Sequence, residues 1–215
     1  WNFLLDLPLP YRCFGCRRNG TILCETCARG RELAPPLDAP DTYALFAYHD
    51  PVVRRMIWAL KYRGVRAVGE NLGAQLYDHL TEDLAEVSLW GGSDQHFLVI
   101  PIPLTATRQH ERGYNQATAI ARGFVNRAGG KNFTLAENLL RRARDTGSQT
   151  AIKARRKRLT NVRGAFAAVE PATVRGKQII IIDDVITTGG TTDAARHALE
   201  AAGAKIVIAA AAAHG

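Results

Sequence analysis

The stretch Ile179-Ile-Ile-Ile-Asp-Asp-Val-Ile-Thr-Thr-Gly-Gly-Thr191 decides the fold of this chain of 215 residues. Its opening run of isoleucines is typical of a central parallel strand that is covered on both faces. The glycines and threonines that follow predict a turn, and residues 192–202 have the apolar spacing of a helix. We therefore predict a strand, an acidic pair and a turn that can hold a phosphate at a helix N-terminus.

The rest of the chain alternates between strand and helix patterns. The predicted strands cover residues 43–48, 96–104, 165–169, 178–182 and 205–213. The predicted helices lie around residues 52–60, 72–84, 114–128 and 192–202. Strands that alternate with helices indicate an α/β domain with a mainly parallel sheet flanked by helices. No apolar run is long enough to cross a bilayer, so we expect no membrane span.

The four cysteines occur as two C-x2-C pairs near the start of the chain, namely Cys13, Cys16, Cys24 and Cys27. Two such pairs can present four thiolates to one zinc ion, and this interpretation is favoured over two disulfides or redox-active pairs. A proline-rich segment over residues 32–41 predicts a boundary. We therefore expect a small zinc ribbon over residues 1–34 and a larger domain over residues 41–215.

The net charge of +8 favours anionic partners. Much of the excess lies in residues 141–163, where Asp145 is the single acid. The basic residues of this segment are Arg141, Arg142, Arg144, Lys153, Arg155, Arg156, Lys157, Arg158 and Arg163.

Asp183 and Asp184 beside the predicted phosphate turn would repel a phosphate. The pair makes sense if the carboxylates accept hydrogen bonds from sugar hydroxyls or hold a divalent cation. Neighbouring residues of a strand point to opposite faces. Either strand geometry ends before Asp184, or only one of the two carboxylates contacts the sugar directly. A plain Asp-rich cap on a βα turn is the alternative, and no dinucleotide or P-loop motif occurs.

The segment Asp183-Asp-Val-Ile-Thr-Thr-Gly-Gly-Thr191 resembles the phosphoribosyl pyrophosphate (PRPP) motif of type I phosphoribosyltransferases. With the cysteine array, the whole chain resembles the ComF/GntX family, a zinc ribbon followed by a phosphoribosyltransferase-like domain. Further pieces of the resemblance are Leu60-Lys-Tyr-Arg-Gly64, Ile100-Pro-Ile-Pro-Leu104, Arg112-Gly-Tyr-Asn-Gln116, residues 149–155 and residues 161–166.

The resemblance implies a role for each part of the predicted site. Asp183 and Asp184 would contact the ribose hydroxyls, and the 5′-phosphate would be held by the turn. The turn residues are Thr187, Thr188, Gly189, Gly190 and Thr191, with Val185 and Ile186 joining them to the acidic pair. The residues expected at the pyrophosphate position are Thr105, Thr107, Arg108 and Arg112. Residues 141–163 would form a loop that closes over the ligand.

Phosphoribosyl transfer depends on positioning and on cations that stabilise the departing pyrophosphate. The candidate catalytic residues are Arg108, Arg112 and Lys61, and magnesium would accompany PRPP. Because the reaction needs no nucleophilic side chain, the sequence does not separate an enzyme from a protein that only binds PRPP.

The resemblance also links the chain to DNA uptake in competent bacteria and hence to a cytoplasmic location. Single-stranded DNA and DNA-uptake proteins are the partners that it implies. The candidate nucleic-acid-binding residues are Arg155, Arg156, Lys157 and Arg158, with Arg12, Arg17 and Arg18 of the ribbon in support. Trp58 and Tyr62 lie four residues apart on a predicted helix, and we expect them to pack rather than to stack on bases.

Overall fold

The structure is a computed structural model that describes residues 11–85, 96–130, 132–142 and 164–215. Its centre is a sheet of five parallel strands in the order β1-β7-β6-β2-β3. These strands are β1 (Thr42–Ala47), β2 (Phe97–Pro101), β3 (Phe133–Leu135), β6 (Gln178–Ile186) and β7 (Ile206–His214). A separate antiparallel pair consists of β4 (Leu140–Arg142) and β5 (Phe166–Ala168).

Helices cover both faces of the central sheet. They are α1 (Glu25–Arg29), α2 (Pro51–Tyr62), α3 (Arg66–Ala85), α4 (Ala106–Arg112), α5 (Gln116–Arg127), α6 (Pro171–Val174) and α7 (Gly190–Ala201). Ile180 and Ile182 of β6 belong to the hydrophobic cluster that contains α2, α3 and α5. Ile179 and Ile181 belong to a second cluster with α7. The isoleucine run is therefore buried on both faces, as its composition predicts.

Helices α3 and α5 approach closely because each has a glycine at the contact. A Cβ atom on Gly73 would lie 1.9 Å from the carbonyl oxygen of Ile120, and one on Gly123 would lie 2.1 Å from that of Glu70. No other residue fits at either position without separating the helices. This contact holds α5, which begins beside the candidate site, against the α2–α3 layer.

Several boundaries differ from the prediction. Strand β6 continues to Ile186 rather than ending at residue 182, because β7 pairs with it as far as Ile186. Strand β2 ends at Pro101, although the backbone N–H of Ile102 still donates to Ile182 at 2.8 Å. The predicted strand at 165–169 forms β5 and pairs with β4 outside the main sheet. The short elements α4 and β3 carry too few residues to show a sequence period.

The segment predicted to be a boundary runs along the edge of β1. Ala34 donates its N–H to Leu45 at 3.1 Å, and Ala47 donates to Glu32 at 2.9 Å. Cys13 of the cysteine module is buried in the same hydrophobic cluster as Phe46 of β1. The N-terminal module therefore packs directly on the larger domain. Within the described ranges, no helix combines the length and the apolar character that a membrane crossing requires.

Candidate functional site

The carboxyl ends of the five parallel strands lie along one edge of the sheet. Ligands of open α/β sheets bind at this edge. Strand β6 leads there into the turn at Thr187, and β2 leads into the segment that begins at Ile102. The residues singled out from the sequence follow these two strands.

The turn after β6 brings threonine hydroxyls and a helix N-terminus to one small pocket. Gly189 has a φ of 77°, a left-handed conformation that glycine adopts without strain, and α7 begins at the next residue. Thr192 donates its hydroxyl to the carbonyl of Gly189 at 2.7 Å, which secures the turn. A small pocket is lined by Asp183, Val185, Ile186, Thr187, Thr188, Gly189, Gly190, Thr191 and Thr192. The hydroxyls of the exposed threonines and the helix N-terminus suit a phosphate.

The two aspartates face opposite sides of β6. Strand geometry persists through both residues, so their side chains alternate. Asp183 lines the pocket of the turn, whereas Asp184 points towards α2 and α4. Of the two arrangements that the sequence leaves open, the structure has the one in which a single carboxylate lies beside the phosphate turn.

Asp183 carries a proton more readily than an ordinary aspartate. Burial and the neighbouring charge of Asp184 raise the pKa of Asp183 to about 7, although the backbone N–H of Asp184, donating at 2.8 Å, opposes the shift. The raised pKa of Asp183 favours its neutral form, which reduces the electrostatic repulsion of a phosphate.

Asp184 is neutralised by two cations. Lys61 at the end of α2 places its Nζ 2.9 Å from Oδ1 of Asp184, and a guanidinium nitrogen of Arg112 lies 4.0 Å from Oδ2. The three side chains are between 12% and 18% exposed, so solvent screens these charges only in part. The acidic pair therefore leaves little net negative charge beside the turn, which resolves the conflict with phosphate binding.

The three candidate catalytic residues come together in one pocket. Lys61, Arg108 and Arg112 line it with Tyr62, Gly64 and Glu111. The pocket lies on the Asp184 side of β6, and the phosphate turn lies on the Asp183 side. The mainly basic pocket is therefore joined to β6 through the contacts of Lys61 and Arg112 with Asp184.

The segment Arg112-Gly-Tyr-Asn-Gln116 positions Arg112. Gly113 ends α4 with a φ of 72°, and Gln116, which is fully buried, accepts a hydrogen bond from Arg112 at 2.7 Å. Asn115 donates to the carbonyl of Ile102 at 2.9 Å and caps α5 by accepting from the N–H of Ala117 at 3.0 Å.

Tyr114 in the same segment joins α5 to α2. Its hydroxyl donates to the carbonyl of Leu60, next to Lys61, and the guanidinium of Arg66 lies 5.0 Å from the centre of its ring. Tyr114, Asn115 and Gln116 were part of the quoted resemblance, but their positioning roles could not be read from the sequence because each depends on a partner distant along the chain.

The other predicted residues lie nearby. Thr105 caps α4 by accepting from the N–H of Arg108 at 3.2 Å, and Thr107 lies in the first turn of that helix. Arg142 donates a hydrogen bond to the carbonyl of Pro103 at 2.9 Å, and its guanidinium lies over the ring of Phe166. From the sequence, this residue was identified only as part of the basic segment 141–163. Arg155, Arg156, Lys157 and Arg158, with most of the predicted loop, lie outside the described residues.

The cysteine module has the geometry of a four-thiolate site. The Sγ atoms of Cys13, Cys16, Cys24 and Cys27 all lie within 4.8 Å of one another, and those of Cys16 and Cys24 are 3.7 Å apart. In a tetrahedron with zinc–sulfur bonds of about 2.3 Å, the sulfurs are about 3.8 Å apart. A disulfide would need about 2.05 Å, and all four cysteines are free. The donor set therefore fits structural zinc.

Gly15 and the backbone around it support this geometry. A Cβ atom on Gly15 would lie 2.6 Å from Sγ of Cys27, so only glycine fits. Burial would raise the pKa of Cys13, but N–H donors led by that of Cys24 at 3.4 Å lower it to about 6. Hydrogen bonding with Cys24, together with burial, raises the pKa of Cys27 to about 12. Four close thiolates repel one another, and a bound cation would compensate their charge.

Part of the chain matches a known protein family. Residues 111–215 match the family described as the phosphoribosyl transferase domain. No curated protein matches the sequence. Among solved structures, the glutamine PRPP amidotransferase from B. subtilis is similar, with 20% identity, a TM-score of 0.44, and coverage of 71% of this chain and 30% of that chain.

Two further structures show the same level of similarity. The allosteric regulatory enzyme of purine biosynthesis is 19% identical, with a TM-score of 0.42 and coverage of 71% of this chain and 29% of that one. A hypoxanthine phosphoribosyltransferase from Staphylococcus aureus is 11% identical, with a TM-score of 0.38. The match covers 65% of this chain and 61% of that chain. The chain spans less than a third of the length of the first two proteins.

The predicted fold class is confirmed. The chain has a type I phosphoribosyltransferase fold with a parallel five-stranded sheet flanked by helices, and its four N-terminal cysteines lie together as in a zinc ribbon. Its C-terminal half carries a phosphoribosyltransferase-type domain.

Proposed function

We propose that this chain binds PRPP or a closely related phosphorylated ribose at the carboxyl edge of its sheet. The observation that carries the proposal is the position of Asp183 in one pocket with the phosphate turn, while Lys61, Arg108 and Arg112 line a second pocket across the same strand. A ligand with a phosphate at one end, hydroxyls in the middle and a pyrophosphate at the other matches this order of groups.

Each part of the ligand has a partner. The 5′-phosphate accepts hydrogen bonds from the turn 187–191 at the N-terminus of α7. A ribose hydroxyl donates to Asp183, and the pyrophosphate lies among Arg108, Arg112 and Lys61. Arginine and lysine form strong charge-assisted hydrogen bonds with phosphates, so this pocket selects a highly charged group.

Magnesium is expected to arrive with the pyrophosphate. Oxygen ligands suit this cation, which usually keeps several waters and binds through one or two carboxylates with the substrate phosphates. Asp183 is the carboxylate in question, since Asp184 is engaged by Lys61. Bound magnesium would help to stabilise the negative charge of the pyrophosphate, and Lys61, Arg108 and Arg112 would supply the protein's share of this stabilisation.

Two biological roles are compatible with this site. The first is a ComF-like cytoplasmic protein that binds PRPP and handles incoming single-stranded DNA during natural transformation, and it rests on the resemblance of the whole chain. The second is an active phosphoribosyltransferase with a small-molecule acceptor, in which the bond from ribose C1 to pyrophosphate breaks as a bond to the acceptor forms. Both proposed roles include a structural zinc ion bound by the four cysteines.

Calorimetric titration with PRPP and magnesium tests the ligand. The wild-type protein should bind, and the double variant Asp183→Asn, Asp184→Asn should bind at least tenfold more weakly. The control is Asp78→Asn, which removes an exposed carboxylate paired with Arg127 on α3 and α5. An affinity for PRPP that is the same in the double variant and the wild type would refute the site.

Incubation with PRPP, magnesium and a panel of nitrogenous bases and amines separates the two roles. Release of pyrophosphate that depends on one acceptor identifies an enzyme. Binding of PRPP without release under every condition favours the binding protein.

A further inference from the structure

We propose that the exposed face of α2 is a stacking platform for a single-stranded nucleic acid, with Trp58 and Tyr62 contacting bases and the surrounding arginines contacting phosphates. The platform is defined as Arg54, Arg55, Trp58, Tyr62, Arg63 and Arg66. The proposal extends the DNA-handling role proposed above by assigning it a surface.

The two aromatic side chains are exposed rather than packed in the core. Trp58 is 54% exposed and Tyr62 is 66% exposed. Their ring centres are 6.0 Å apart and their planes are inclined by 45°. We expected from the sequence that these two side chains would pack. They contact each other, but neither is buried in the core. Two large exposed aromatic rings on one helix face mark an interaction site.

The charge of this surface selects a polyanion. Residues 51–69 contain Arg54, Arg55, Lys61, Arg63 and Arg66 and no Asp or Glu. The guanidinium of Arg63 lies 5.9 Å from the centre of the Trp58 ring, and that of Arg112 lies 5.8 Å from the centre of the Tyr62 ring. Each ring therefore carries a guanidinium over one face, so the platform combines aromatic surface with positive charge. This combination is how proteins bind single strands without sequence preference.

The platform continues into the cysteine module at one end. Arg55 donates to the carbonyl of Phe14 at 2.8 Å, which fixes the first knuckle against α2. Arg12, Arg17 and Arg18 are exposed on that module, and residues 11–24 contain no acid.

At its other end the platform reaches the basic pocket. Tyr62 lines this pocket beside Lys61, where Glu111 contributes one carboxylate to the rim. The basic, aromatic surface therefore runs from the cysteine module to the candidate PRPP site.

A single strand fits this surface better than a protein partner does. Exposed Trp, Tyr and Arg are also enriched at protein interfaces, where a positive patch would meet an acidic surface of the partner. The four exposed arginines on α2 and the residues after it suit a regularly spaced anion, whereas Lys61 is engaged by Asp184. The rings then account for a preference for bases over a bare polyanion, since every base has a face that can stack.

Fluorescence anisotropy with a labelled oligothymidine and an abasic strand of the same length tests the proposal. The wild-type protein should bind oligothymidine more tightly than the abasic strand. Trp58→Ala should weaken oligothymidine binding about tenfold and leave abasic binding unchanged, because stacking contributes about 1–3 kcal/mol per base. Trp58→Phe should retain most of the affinity, and Leu33→Ala, which shortens another exposed apolar side chain, should retain all of it.

The salt dependence of binding tests the arginines. Arg63→Gln should reduce the slope of log affinity against log salt by about 0.7, the value for one contact with a single strand. The matched control Lys205→Gln removes an exposed cation just before β7, at the opposite edge of the sheet, and should leave the slope unchanged. An oligouridine arm shows whether DNA or RNA is preferred, and tighter binding of either to the wild type than to Trp58→Ala supports the platform.

Three results would overturn the proposal. The first is equal affinity of the wild-type protein for oligothymidine and the abasic strand, and the second is undiminished oligothymidine binding by Trp58→Ala. The third is failure of the wild-type protein to bind any strand, and binding of an acidic protein instead would reassign the surface. PRPP affinity is measured on the same samples. A wild-type protein that binds oligothymidine but not PRPP would contradict the PRPP proposal and leave the platform standing.

Discussion

Lys61 at the C-terminal end of α2 forms an ion pair of 2.9 Å with Asp184, the second acid of β6. The contact joins the α2 layer to the strand that carries the phosphate turn. It also reduces the negative charge at the carboxyl edge of the sheet, because the positive charge of Lys61 compensates one of the two adjacent carboxylates.

Replacement of Lys61 by Gln should weaken PRPP binding by about tenfold or more. The change leaves Asp184 with only the longer contact to Arg112 and removes a charged hydrogen-bond donor, which contributes about 1.5–3 kcal/mol. Calorimetry measures the affinity. Lys61→Arg, which keeps the charge, should lose less, and Lys205→Gln should lose nothing. Equal losses of PRPP affinity in Lys61→Gln and Lys61→Arg would show that the shape of the lysine side chain, rather than its charge, determines binding.

Asp183→Asn should stabilise the unliganded protein increasingly as the pH rises. The pKa of Asp183 is raised to about 7 in the folded protein, above the value of about 3.9 in the unfolded chain. Between these values the folded state binds more protons than the unfolded state, so rising pH lowers the stability of the wild type. The Asp183→Asn variant has no such carboxyl group and does not lose stability in this way as the pH rises. Thermal unfolding should show a small difference near pH 4 that grows to its full size above pH 7. A difference that does not vary with pH would exclude the shifted carboxyl.

Asp50→Ala should lower the free energy of unfolding by about 2 kcal/mol. Asp50 caps α2 by accepting from the N–H groups of Val52 at 2.8 Å and Val53 at 3.1 Å, and it pairs with Arg31 at 3.2 Å. Although burial opposes it, these donors hold the pKa of Asp50 below its usual value, so its stabilisation is lost only at acidic pH. Urea unfolding at pH 7 measures the change. Asp50→Asn retains a cap acceptor and should cost less than the alanine variant.

Gly15→Ala should reduce the zinc content of the purified protein from near one equivalent. The new methyl group would lie 2.6 Å from Sγ of Cys27 and force the two knuckles apart. Elemental analysis of protein purified without chelator gives the metal content. The control Gly20→Ala strains the backbone at a φ of 87° but meets no atom within 4 Å, so zinc should be retained. Wild-type protein that contains no zinc would refute the cysteine interpretation itself.

Local sequence patterns were sufficient for the parts of the protein that depend on neighbouring residues. The isoleucine run of β6 identified the central strand, because burial on both faces demands such a run wherever it occurs. The glycines and threonines from Thr187 to Thr191 identified the turn, and the spacing of Cys13, Cys16, Cys24 and Cys27 identified the cluster of four thiols. Each depends on conformational preferences that act over a few residues.

Only the tertiary structure decided how these parts meet. The sequence left two arrangements open for the acidic pair, and the pairing of β6 with β7 decided between them by keeping Asp183 and Asp184 in strand geometry on opposite faces. The contacts of Lys61 and Arg112 with Asp184 and the exposure of Trp58 and Tyr62 depend on where the fold places α2 and α4 relative to β6. The phosphate turn could therefore be predicted from the sequence. The neutralised acid beside it was not, because charges far apart along the chain compensate one another only once the fold has brought them together.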